Sequence, residues 1–438
     1  MSHYLLAGGR LVDPASHRDE VSDVLIRDHV VADVGRGLQA PGADVIDARG
    51  MVVAPGLVDL HTHVREPGRE DEETIATASA AAARGGYTAI CAMPNTDPVA
   101  DTAAVVEKVW AIGKELGVVD VVPAGALSKG QAGDKMADIG EMALSAARVR
   151  VFTDDGRGVQ SALFARRAME YLVSFGGIFA EHCEDATLAA GGQMHESERS
   201  FELGLRGIPA VAEELMAERD IALARLTGCR LHLLHVSTAG TVAAVRRAKA
   251  DGVDVTAEAT PHHFTLTDAA LESYDTNAKV NPPLRGERDR EAVVGGLCDG
   301  TIDAIATDHA PHALEEKDVE FEIAPPGAVG LETALALTIS ELVRPGRLTL
   351  LQAIDRISTA PARILGLSEH GGPLAPGARA NLVVFDPEAA WTVDPAGFCS
   401  RSRNTPFAGR RVHGLVAHVF HDGRHTVRDG RVQAQVAV

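Results

Sequence analysis

The chain has 438 residues, 45% hydrophobic, 24% charged and 4% aromatic, which excludes a disordered polymer and supplies ample apolar side chains for an interior. That length suits one large unit plus a smaller one. The formal charge of −19 repels phosphate backbones and anionic bilayers, so neither nucleic acid nor membrane is expected as a partner, and an anionic ligand must be held by a few local cations. Five cysteines, odd in number and far apart with no CxxC pair, predict a reducing, cytoplasmic setting. The N-terminal run has no cationic segment leading into an apolar one, and no window approaches about 18 uninterrupted apolar residues, so no secretion or membrane signal is read.

In chain order, residues 1–55 read as short strands broken by turns, and the stretch from 372 to 438 reads the same way, with a hairpin signal at His421–Arg424. Each end is too short for a secure core, which predicts one small β domain composed of 1–55 and 372–438. Residues 56–371 alternate β-rich runs with Ala-rich helical runs, the pattern of a βα barrel. The eight candidate strands are 57–63, 87–93, 118–125, 149–154, 177–182, 230–236, 253–259 and 302–308. The predicted class is therefore α/β, a (β/α)8 TIM-type barrel with a small β-sandwich domain formed from both chain ends.

The chemically active side chains fall at the C-terminal ends of these strands, where barrel enzymes place their sites. His61 and His63, two residues apart on strand one, leave the same face and can reach one metal ion; Asp59 shares that face. Strand five ends at His182, strand six at His235 and strand eight at Asp308, each in phase with the small or apolar residues before it. Four imidazoles and a carboxylate at one mouth match the donors preferred by zinc and its divalent neighbours. Taken alone, His182 or His235 reads equally well as a buried structural residue, whereas the His61–His63 pair already favours a metal. Strand four ends in Asp154-Asp155, which point opposite ways if the strand continues, so only one of the two joins the cluster.

The runs Asp59–Pro67 (DLHTHVREP), Ala92–Thr96 (AMPNT), Phe152–Gly156 (FTDDG), Glu181–Cys183, Leu234–Ser237 (LHVS), Asn281–Arg285 (NPPLR) and Ala306–His312 (ATDHAPH) together resemble the longer, class I dihydroorotases of the amidohydrolase superfamily across essentially the whole chain. The resemblance implies that His61, His63 and Asp308 hold one metal and His182 and His235 a second, with Asp155 contacting both. Many two-metal relatives carry a carboxylated lysine on strand four, and residues 149–160 contain no lysine. It also implies one or two zinc ions, two being favoured. Arg65, Asn95 and His312 are expected to meet the ring carboxylate of the substrate, Asn281 to hydrogen-bond the ring, and the Pro326-Gly327 backbone to wall it, with His63 at its edge. His262, His263 and His309 are expected in supporting roles, and the run Glu315–Asp318 as a solvated loop.

The implied reaction is the reversible cyclisation of N-carbamoyl-L-aspartate to L-dihydroorotate and water, the third step of pyrimidine biosynthesis. A metal-activated hydroxide would attack the ring amide, and Asp308 would carry the proton. The rival readings are an allantoinase- or hydantoinase-like cyclic amidohydrolase, and a non-catalytic dihydroorotase-like subunit of an aspartate transcarbamoylase complex. A homodimer and a transcarbamoylase complex are both compatible with the resemblance, and the sequence selects neither.

Overall fold

The computed structural model describes residues 3–433. The barrel strands are β1 (Leu57–Thr62), β2 (Tyr87–Ala92), β3 (Asp120–Pro123), β4 (Val151–Phe152), β5 (Ile178–Glu181), β6 (Arg230–Leu233), β7 (Val255–Ala259) and β8 (Ala304–Ile305). All neighbours run parallel. Single bridges, Gly125 to Phe152 and Thr62 to His309, join β3 to β4 and β1 to the segment after β8, so the ring closes. Strands β1 and β2 are buried along their whole length, because one face fills the barrel and the other meets helices, which is why they read as near-continuous apolar runs.

Helices α1 (Ile75–Arg84), α2 (Ala103–Leu116), α3 (Ile139–Leu144), α4 (Ala162–Val173), α5 (Val211–Thr227), α6 (Ala239–Ala250) and α7 (Glu287–Asp299) lie between the strands. α1 begins where Thr74 accepts from the Thr77 amide and Thr77 reciprocates, and it stops at Gly85. A Cβ on Gly85 would lie 2.1 Å from the Leu331 carbonyl oxygen, so no larger residue fits where the chain turns into β2.

Strands from both chain ends form one nine-stranded sheet. Its seam is the antiparallel pairing of Leu382–Thr392 with Val52–Pro55, in register Leu382 to Pro55 and Val384 to Val53. Leu6, Leu11, Val24, Val53, Leu382 and Phe420 share a hydrophobic cluster there, which puts a core under strands that neither end could bury alone. Between Leu382–Thr392 and Arg411–His421 the chain leaves this sheet for the barrel. Ser400 Oγ donates to Glu73 at 2.5 Å, and Ser402 Oγ donates to the Glu72 carbonyl at 2.7 Å.

The β-strands are shorter than their sequence signals. β4 ends at Phe152, β5 at Glu181, β6 at Leu233 and β8 at Ile305, so Asp155, His182, His235 and Asp308 all sit on the following turns. Alternation along a strand therefore does not set their directions. His235 (φ 31°) and Asp308 (φ 45°) occupy left-handed backbone, as does Arg65 (φ 59°), and strained non-glycine residues of this kind gather where a site over-determines the chain.

Candidate active site

Asp155 lies between two pairs of imidazoles. Its Oδ2 is 3.4 Å from His61 Nε2 and 3.5 Å from His63 Nε2. Its Oδ1 is 3.6 Å from His182 Nδ1 and 3.4 Å from His235 Nε2, and those two nitrogens are 3.1 Å apart. Asp308 Oδ1 lies 3.2 Å from His63 Nε2 and 3.5 Å from His61 Nε2. All six residues are buried. Asp154 turns the other way: its carboxylate accepts from the Leu127 and Ser128 amides at 2.9 and 3.0 Å and from the Ser128 hydroxyl. Asp59 is also outside the cluster, accepting from the Thr307 amide at 2.7 Å and its hydroxyl at 2.8 Å and so tying β1 to the turn after β8.

Burial pushes Asp155 upward, but the charge on His61 and the close approach of the His182, His235 and His61 rings outweigh it and hold the carboxyl well below its ordinary range. Asp308 is depressed against the same burial by His61 and His63. Burial favours neutral His61, yet Asp155 and Asp308 raise it well above an ordinary imidazole. Two anions thus face four ring nitrogens in a buried site, and the His61 Nε2 atom is buried with no hydrogen-bond partner. Such a donor set fits a divalent cation, which would satisfy both the orphaned nitrogen and the carboxylates.

Neighbouring groups fix which nitrogens face inward. His61 Nδ1 is 2.9 Å from Glu258 Oε1, and His63 Nδ1 is 2.9 Å from Asn95 Oδ1, so each ring donates outward through Nδ1 and points Nε2 toward Asp155, the nitrogen that a bound cation would take from the neutral ring. Glu258 also meets His232 Nε2 at 3.1 Å. Burial raises its carboxyl, but the bonds from His232 and His61 bring it down to about 2. The Asn281 amide reaches His182 Nε2 at 3.4 Å through Nδ2, while its Oδ1 is buried without a partner. With the two ends of this amide exchanged, His182 donates from Nε2 to oxygen and keeps its Nδ1 lone pair for the cluster.

Above the cluster is a cavity of about 190 Å³ bounded by Arg65, Asn95, Asn281, His312, Pro326 and Gly327. Every expected substrate contact therefore borders one space, although not every polar atom is free. Arg65 donates from Nε to the Pro311 carbonyl at 3.0 Å and sits 2.9 Å from Glu72 Oε2, whereas no hydrogen bond engages its terminal nitrogens among the described residues. Burial lowers its guanidinium to about 10, which leaves it charged at neutral pH. Asn95 gives its oxygen to His63, leaving only Nδ2 for a ligand. His312 Nε2 is taken by the Pro326 carbonyl at 3.0 Å.

The run Glu315–Asp318 is not a solvated loop: Leu314–Lys317 is a short helix, and buried Lys317 donates to the Thr276 and Pro325 carbonyls. Of the other histidines, His263 bonds Thr260 and the Pro282 carbonyl, and His309 reaches Glu73 at 3.2 Å, as supporting groups would. Glu258, Glu72 and Arg69 escaped the sequence reading. For Glu258 a signal existed, a carboxylate near the C-terminal end of a strand signal whose other charge, Asp254, lies at the opposite end.

Residues 50–241 match a family model described as Dihydro-orotase-like, and residues 326–433 match one described as Amidohydrolase family. Dihydroorotase from Pelotomaculum thermopropionicum is 52% identical over 97% of this chain and 98% of its own. That of Streptomyces coelicolor is 51% identical over 99% and 100%. Among solved structures, L-hydantoinase (dihydropyrimidinase) from Arthrobacter aurescens superposes with a TM-score of 0.88 at 26% identity, covering 99% of this chain and 98% of that one. Dihydropyrimidinase from Brevibacillus agri gives 0.84 at 25%, covering 98% and 96%. The neighbours share the barrel and end-domain architecture, while sequence identity twice as high falls to one branch of it. With half of all positions shared over nearly the full length, and the paired imidazoles and carboxylates gathered at one barrel mouth, the chain belongs to the dihydroorotase family of amidohydrolases.

Proposed function

We propose that this enzyme interconverts L-dihydroorotate and N-carbamoyl-L-aspartate. The observation that carries the reading is the placement of Asp155 between two imidazole pairs directly beneath a pocket edged by a buried, charged arginine. His61, His63 and Asp308 would hold one zinc ion, His182 and His235 a second, and Asp155 would touch both. When bound, such ions polarise a carbonyl and lower the pKa of water.

The chain's own residues supply binding and proton handling. The terminal nitrogens of Arg65 and Nδ2 of Asn95 pair with the ring carboxylate. Asn281 meets the ring, and the Pro326-Gly327 backbone covers it. Asp308 takes a proton from the attacking water and gives it to the ring nitrogen as the carbon–nitrogen bond breaks, so the water oxygen ends on carbon and its proton on nitrogen. In the structure His312 serves the wall through Pro326, and a ligand contact by His312 would have to share or replace that bond.

A hydantoinase-like activity is disfavoured because its substrates offer Arg65 no comparable carboxylate. A non-catalytic subunit is disfavoured because every expected donor position is filled. We assign the catalytic role to the barrel, residues 56–371, and a supporting role to the composite domain of 1–55 and 372–438. A cytoplasmic location agrees with five free thiols. No described helix is long and apolar enough to cross a membrane. Self-association and a transcarbamoylase complex are tested by mass measurement of the purified chain, alone and mixed with that enzyme. The reading itself is tested by assaying dihydroorotate hydrolysis alongside bound-metal content.

A further inference from the structure

The pocket wall is held from behind by side chains of other segments. Phe321 and Glu322 carbonyls accept from Lys279 Nζ at 2.6 and 3.2 Å, and the Pro325 carbonyl from Lys317 Nζ at 2.7 Å. The Pro326 carbonyl accepts from His312 Nε2 at 3.0 Å, and the Gly327 carbonyl from Asn404 Nδ2 at 3.0 Å. A wall with so many carbonyls occupied is a fixed surface.

Asn404 does more than the other ties. Its Nδ2 also donates to the Ala310 carbonyl at 3.0 Å, and its Oδ1 accepts from the His312 amide at 3.1 Å. One buried amide thus spends both protons and its oxygen on three backbone groups from two neighbouring segments of the pocket wall, which the Ala310 amide also joins by donating to the Ala328 carbonyl at 2.9 Å. These two segments have no slack: a Cβ on Gly327 (φ 142°) would lie 2.9 Å from both Ala310 Cβ and His312 Nε2. Asn404 arrives from the excursion between Leu382–Thr392 and Arg411–His421, and it makes no hydrogen bond to any of the six cluster residues.

We infer that Asn404 is a positioning residue for substrate recognition, setting the distance between the Ala310–His312 segment and the Pro326-Gly327 wall. The inference rests on the reading that this pocket takes dihydroorotate. Asp has the shape of Asn and keeps the acceptor, but it loses both donors and turns a carboxylate toward two carbonyls. In Asn404→Asp the KM for dihydroorotate should rise about tenfold or more while kcat stays within about threefold, since the reacting groups are untouched. Metal content and melting temperature are measured on the same sample.

A KM and kcat both like wild type would overturn the inference, as would a fall in kcat that tracks lost metal. If Asn404→Asp does not fold, Asn404→Ser, which keeps a single donor, is judged by the same split, and failure of both to fold would make Asn404 a stability residue and end the inference. A wild-type enzyme inactive on dihydroorotate would instead remove the substrate reading and this inference with it.

Discussion

Replacing Arg65 with Met separates recognition of the substrate from the chemistry. Met keeps the apolar stem of a side chain that is 6% exposed and removes the charge at its end. A charge-assisted contact to the ring carboxylate contributes about 1.5 to 3 kcal/mol, which corresponds to roughly tenfold to 150-fold in kcat/KM for dihydroorotate. The substitution has a second effect, because Glu72 is buried beside Arg65 and loses a cation. Arg69 also pairs with Glu72, so the carboxylate is not left alone and the destabilisation should fall below the roughly 3 to 5 kcal/mol of a fully orphaned buried charge. Pairing Arg65→Met with Glu72→Gln removes that contribution and isolates the effect on the ligand. The assay compares kcat/KM for dihydroorotate and for dihydrouracil, which has no carboxylate, in wild type and both variants. A selective loss on dihydroorotate is expected. An equal loss on both rings, or no loss on either, would refute the pairing of Arg65 with the carboxylate.

Three further outcomes follow from the same geometry. Glu258→Gln should weaken metal binding about 10- to 100-fold in a chelator competition, because the carboxylate that orients His61 is lost, and unchanged affinity would remove that role. Asp308→Asn should lower turnover by on the order of 10² to 10⁴ while metal is retained, and wild-type turnover would refute the proton role. His263, pushed down to about 3 mainly by burial, is neutral in folded and unfolded states above an ordinary imidazole pKa of 6.5. Between these values the unfolded chain binds a proton that the folded one does not, so stability is lost as pH falls from about 6.5 toward 3. His263→Gln should show a shallower drop in melting temperature over that interval, and an identical slope would contradict the linkage.

The barrel was legible because its strands are short apolar runs between Ala-rich helices, and all eight appear where the sequence puts them, though trimmed at their ends. The trimming shows where pattern reading stops. Alternation predicted the directions of His182, His235 and Asp308, yet each lies on a turn whose dihedrals alternation does not describe. The choice between Asp154 and Asp155 was open in the sequence, since it depends on Leu127 and Ser128 offering amides to one of them across a strand gap. The composite end domain was inferred from two segments each too short to be stable, and the shared sheet supplies the reason. Asn404 carried no signal: its partners are 77 to 94 residues away and are backbone atoms, whose identity no side-chain pattern encodes. Lys317 misled for a related reason, since a charge run names its ions but not the carbonyls that bury one of them.

The central claim is that the cluster around Asp155 holds catalytic divalent metal and that the pocket above it takes dihydroorotate. The most direct test is elemental analysis of the purified chain coupled to dihydroorotate hydrolysis before chelation, after it, and after adding zinc back. One to two equivalents of metal, loss of turnover with the metal, and recovery on readdition are expected. Full turnover in metal-free protein, or metal-replete protein with no turnover of dihydroorotate, would contradict the claim.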